Sequence, residues 1–128
     1  MNKILTKTSL VLLALAAPAG ATAQTLEGKW ANPKRSVIVR VDKCGNAWCG
    51  NVSWASQKNR DKGMTPGTRV LNNLRPAGDG LYKGSVFDPK RDMSGSATVR
   101  QVGSDVMMVK GCALLGLVCK EQRWTRVS

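Results

Sequence analysis

Eight acidic residues, four cysteines and no histidine bound the chemistry open to this chain. Without imidazole, histidine-based triads, histidine metal sites and histidine general bases are excluded. A nucleophilic Ser, Cys or Lys would need a carboxylate or a second lysine as its base. The acids are Glu27, Asp42, Asp61, Asp79, Asp88, Asp92, Asp105 and Glu121. Most of them fall in turn-forming stretches, where an aspartate bonds its own backbone. No spacing brings two together as a hydrolytic carboxylate pair requires. Asp88, immediately before Pro89, is the most distinctive acid, and it reads as a turn initiator. The expectation is a protein with no catalytic residue and no cofactor.

The cysteines form two local pairs, Cys44 with Cys49 and Cys112 with Cys119. Four cysteines allow three connectivities. The local one is favoured because each pair brackets turn chemistry, with Gly45-Asn46 inside the first and Gly116 inside the second. Each bridge then staples the end of a hairpin and contributes roughly 2–3 kcal/mol. A four-thiolate zinc site is the competing arrangement. Neither pair is C-x-x-C, and the wide second spacing fits zinc poorly, so no metal is expected.

Disulfides need an oxidising compartment, and the beginning of the chain supplies the address. Lys3 and Lys7 precede an apolar run over residues 9–17, and Ala21-Thr22-Ala23 follows Pro18 and Gly20. This is the three-part pattern of a secretory signal, residues 1–23, cleaved before Gln24. The apolar run is about half of the ~20 residues a membrane span needs, so no transmembrane anchor is expected. Residues 24–128 are then a single exported domain. The mature chain keeps 105 residues and a net charge of +10, against +12 for the whole chain. A hydrophobic content of 42% is enough for a core and excludes disorder.

The mature chain reads as strands and turns, with no helical stripe of useful length. Residues 36–42 alternate, with Val37, Val39 and Val41 on one face. Residues 48–54 follow across the Gly45-Asn46 turn, which makes a hairpin. Residues 55–69 are polar, charged and then Pro66-Gly67, and read as a long exposed loop with mobile backbone. Residues 70–74 form a short strand ended by Pro76, and residues 81–88 another, stopped by Pro89. Residues 90–94 form a charged turn. Strands at 97–102, 106–110 and 119–127 complete the set, with Gly103-Ser104-Asp105 turning between the first two. With the short run around Trp30, this makes roughly eight strands, the pattern of an all-β antiparallel barrel or sandwich.

Gly28-Lys29-Trp30 opens the first strand, and Gln122-Arg123-Trp124-Thr125-Arg126 closes the last. A Gly-x-Trp on the first strand with an Arg on the last resembles the lipocalin-like arrangement. There the Arg packs across the Trp and closes one end of the barrel, which assigns Gly28, Trp30, Trp124 and Arg126 to barrel closure. A wider ordered pattern runs through Cys44-Gly45, Cys49-Gly50, Phe87-Asp88-Pro89 and Gly111-Cys112. It resembles the small secreted bacterial family catalogued as domain of unknown function 2147. That resemblance implies a periplasmic or secreted Gram-negative protein with a lipocalin-like β-barrel. It carries over neither a catalytic residue nor a ligand. Family members usually follow the Asp-Pro turn with a Gly and an aromatic residue, whereas this chain has Lys90-Arg91-Asp92-Met93.

Two functional readings follow. In the first, the barrel binds a small amphipathic or apolar molecule, with Trp54, Tyr82 and Phe87, and also Met107 and Met108, as candidate lining. The same side chains would equally fill a small barrel. In the second, the barrel is filled and the basic surface contacts anionic envelope components such as lipopolysaccharide or lipid headgroups. Lys58, Arg60 and Lys62 are its leading patch, with Lys34-Arg35 and Lys90-Arg91 beside it. Export and the scarcity of aromatic residues exclude nucleic acid as a partner.

Overall fold

The computed structural model describes residues 25–128, so the export signal read over residues 1–23 lies outside the described residues. Eight antiparallel strands in sequence order close into one barrel. They are β1 (Gly28–Ala31), β2 (Val37–Cys44), β3 (Ala47–Ala55), β4 (Arg69–Gly78), β5 (Leu81–Asp88), β6 (Met93–Val102), β7 (Val106–Ala113) and β8 (Val118–Arg126). Turn spacing allowed a barrel or a sandwich, and the barrel that the family resemblance implied is the observed architecture. Each strand pairs only with its neighbours in the chain, and β1 pairs with β8.

Alternation explains which residues fill the interior. Val37, Val39 and Val41 of β2 are buried, as are Val52 of β3, Leu71 of β4, Val99 of β6 and Met107 of β7. A period of two puts every second residue inside, and closure leaves no unpaired edge. Most of β5 is only half-buried, because its inward positions Gly84 and Val86 are small.

The seam between β1 and β8 is the shortest pairing. It has two registered pairs, Trp30 with Arg126 and Ala31 with Thr125. Side chains reinforce it. The Arg126 guanidinium lies 4.3 Å from the Trp30 ring centroid. Its nitrogens donate to the carbonyls of Ser104 at 2.7 Å, Thr25 at 2.8 Å and Glu27 at 2.5 Å. The Trp30 indole donates to the Leu26 carbonyl at 2.9 Å. Leu26 and Trp30 are fully buried and cap this end. Gly28 adopts φ +140°, and a Cβ there would lie 2.7 Å from the Ser128 carbonyl oxygen and overlap the guanidinium. Trp124 sits inside the barrel, not in this cap, and donates to Gln122 Oε1 at 3.0 Å.

Both cysteine pairs form the local disulfides expected, Cys44–Cys49 and Cys112–Cys119. They staple opposite ends of the barrel, since one joins the β2–β3 turn and the other the β7–β8 turn. Among the described residues, no helix is long and apolar enough to cross a membrane.

Three sequence-based boundaries need correction. The connection over residues 56–68 is hydrogen-bonded, not a bare loop. It carries a short helix, α1 (Gln57–Arg60), capped by Ser56, and its Asn59 is buried. The Asn59 side chain donates to Ser56 Oγ at 2.9 Å, while its carbonyl accepts from the Met64 amide at 3.0 Å. Strand β4 runs through Pro76 to Gly78. Pairing with β3 stops at Leu74, so Pro76 has a single neighbouring strand and its missing N–H costs no ladder bond on the other side. The charged turn is shorter than expected, because β6 already begins at Met93.

Arg126→Ala should lower unfolding free energy by about 2–3 kcal/mol, through loss of the stacking and of three charged hydrogen bonds. Arg126→Lys should recover less than half of that, because an ammonium cannot fork to three carbonyls. Urea unfolding followed by tryptophan fluorescence measures both.

Candidate ligand cavity at the open end of the barrel

Up-and-down topology sends alternate connections to opposite ends. The connections β2–β3, β4–β5 and β6–β7 gather at the end capped by Trp30 and Arg126. The connections β1–β2, β3–β4, β5–β6 and β7–β8 gather at the other end, which is open. A cavity of about 1080 Å³ enters the barrel there.

Its floor is apolar and includes Val37, Val39, Val70, Leu71, Val109 and Trp124. Small residues are part of the wall near the mouth. Gly95, Gly111 and Ala113 all line it. A Cβ on Gly111 would lie 3.0 Å from Val86 Cγ1 across the interior. A Cβ on Gly95 would run into the Cys112 carbonyl. A reading based on large residues overlooks such a cavity.

The mouth is basic. Lys34, Lys58, Lys62, Lys90, Arg91 and Lys120 line it, against the carboxylates of Asp88 and Glu121. Asp88 is already engaged. One of its oxygens accepts from Arg91 at 2.6 Å, and the other accepts from the Lys90 amide at 3.0 Å. This is the turn-initiating role its sequence context suggested. Partial burial holds the Lys90 pKa below its ordinary value, and Lys62 pushes it the same way. Asp88 opposes the shift, and Arg91 and Lys120 add to it. Cations from three different connections therefore converge on one opening with little compensation.

The other candidate residues are dispersed. Lys58 and Lys62 line the mouth, while Arg60 binds the Ala55 carbonyl and Gln57 Oε1 and is not part of the lining. Phe87 lies at the cavity edge and also lines a shallow outer hollow with Arg69, Asn72 and Ser94. Tyr82 packs, half-buried, against the core away from the cavity. Trp54 is 45% exposed and lines no part of the cavity. A register shift between Ile38 and Val39, opposite Trp54 and Val52, interrupts the alternation that would have placed Trp54 beside Val52 inside. Met107 is buried in the core, whereas Met108 is half-buried, its neighbour in the alternation. Trp124 lines the cavity with Phe87, and it was read beforehand only as part of the closure motif.

A barrel capped at one end and open at the other onto a cavity is the architecture of the calyx-type β-barrel proteins. The chain belongs to the family described as uncharacterized protein conserved in bacteria (DUF2147), whose family model matches residues 28–126. No curated protein and no solved structure matches it significantly.

Lys90→Gln should raise the melting temperature slightly, because it removes a charge that partial burial, and after it the nearby Lys62, disfavour. The sign follows from the lowered pKa. Folding disfavours the protonated amine, so wild type is penalised below its folded-state pKa and relieved as pH rises toward 10.5. The advantage of the variant should be full at neutral pH and fade as pH rises through the folded-state pKa. Thermal melts of both proteins across neutral and alkaline pH measure this.

Proposed function

We propose that this protein is an exported, non-catalytic envelope protein that binds a small amphipathic molecule in its barrel. The apolar part of the ligand lies against Val37, Val39, Val109 and Trp124, and an anionic head meets Lys62, Lys90 and Lys120. The carrying observation is the cavity itself, apolar at its floor and cationic at its rim, in a barrel sealed at the far end. Its volume suits a single-chain amphiphile. Two disulfides support an oxidising compartment, which agrees with the export signal read in the sequence. The second reading, a filled barrel acting through its basic surface, accounts for the lysines but not for the open interior.

Binding is tested with cis-parinaric acid, a fluorescent fatty acid, and with its methyl ester. The acid should bind saturably. Gly111→Leu projects a side chain toward Val86 and should weaken both probes by about tenfold or more, or about 1.4 kcal/mol. The triple variant Lys62→Gln, Lys90→Gln, Lys120→Gln should weaken the acid and spare the ester. Circular dichroism checks that each variant folds. Absence of saturable binding by either probe, or full binding by a folded Gly111→Leu protein, overturns the proposal.

A further inference from the structure

The β7–β8 connection is built unlike an ordinary turn. Between Cys112 and Cys119 the chain reads Ala113-Leu114-Leu115-Gly116-Leu117-Val118. Turns are ordinarily polar, yet Leu114 is 61% exposed, Leu117 86%, and Leu115 stands fully in solvent. Val118 is 51% exposed beside them. The leucines are also poor choices for the backbone. Leu114 and Leu115 have φ of +53° and +58°, a region that favours Gly or Asn and that bulky residues avoid. Local folding thus explains neither the composition nor the conformation. The Cys112–Cys119 disulfide joins a registered cross-strand pair directly beneath the tip. The Leu117 amide closes the turn onto the Leu114 carbonyl at 3.1 Å. The leucines are therefore presented outward from a clamped base.

The tip stands at the open end of the barrel. Cys112, Ala113, Val118 and Cys119, the residues at its base, line the cavity mouth together with Lys62, Lys90 and Lys120. Exposed leucines beside a ring of cations combine the two signals that hold a peripheral protein on a bilayer. Apolar side chains insert at the headgroup boundary, and basic residues are drawn to anionic lipid. The cations line the mouth at the base of the tip, so an anionic bilayer meets both features at once.

We infer that the leucine tip, Leu114, Leu115 and Leu117, inserts into the surface of an anionic bilayer and sets the barrel mouth against the lipid. Docking itself is independent of the ligand proposed above. Only its consequence, exchange of an amphiphile directly between membrane and cavity, rests on that reading.

The test is co-sedimentation of the mature, disulfide-bonded protein with vesicles of phosphatidylglycerol and phosphatidylethanolamine, compared with vesicles of phosphatidylcholine alone. Wild type should pellet with the anionic vesicles, release as salt rises, and stay in solution with the neutral ones. The pair Leu115→Ser, Leu117→Ser should reduce vesicle binding at least tenfold while leaving parinaric acid affinity within twofold. That second readout separates failure of docking from failure of the cavity. Three outcomes overturn the inference: wild type remaining in solution with anionic vesicles at low salt, folded serine variants that bind as well as wild type, or a self-association in sedimentation velocity that the variants abolish without any vesicle binding.

Discussion

Closure of the barrel at the β1–β8 seam is the constraint on which the rest depends. Every other seam joins neighbours in the chain, most of them through long antiparallel ladders. The last seam must join the two extremes of the domain through two registered pairs. So short a ladder is weak by backbone alone. Trp30 and Arg126, themselves opposite each other in that register, supply what it lacks. The guanidinium stacks on the indole and gathers carbonyls from the leading segment and from the β6–β7 turn. One side chain thereby fastens three pieces of chain and seals the end.

Sealing one end leaves the other free to carry function. The capped end buries Leu26 and Trp30 and satisfies its polar atoms internally. The open end does the reverse. Small residues line its wall, and cations from several connections face one another around the opening. Partial burial, and after it the neighbouring Lys62, lower the Lys90 pKa. The anionic head proposed for the ligand would complement this arrangement. The disulfides divide in the same way. Cys44–Cys49 tightens a turn at the sealed end, and Cys112–Cys119 clamps the tip that stands beside the mouth.

Much of the fold was legible in the residues because its determinants are local. Period-two valines in β2, glycine-containing turns and closely spaced cysteines each report on a few neighbouring residues, and the strands lie where these signals put them. Boundaries failed where a tertiary neighbour, or the lack of one, changed the local rule. Pro76 sits within β4 because β3 no longer pairs there. The connection over residues 56–68 is ordered because Ser56 caps a helix and Asn59 turns inward. The candidate lining fared worse. Aromatic residues were natural guesses for a binding wall, but a register shift in the β2–β3 ladder separates Trp54 from the interior, and Tyr82 joined the core.

The amino-acid sequence by itself determined the all-β class, the local disulfides and the basic charge, since each is a property of residue type and short spacing, while the pairing of Trp30 with Arg126 was legible only through the family resemblance. Only the tertiary structure decided that Lys62, Lys90 and Lys120, far apart in the chain, surround one mouth. It also decided that Gly95 and Gly111 line the wall beneath them, and that three leucines stand exposed at its edge. The reason is closure. Which connections share an end, and which side chains face the same interior, follow from the barrel's strand order and register, and no single stretch of sequence contains them.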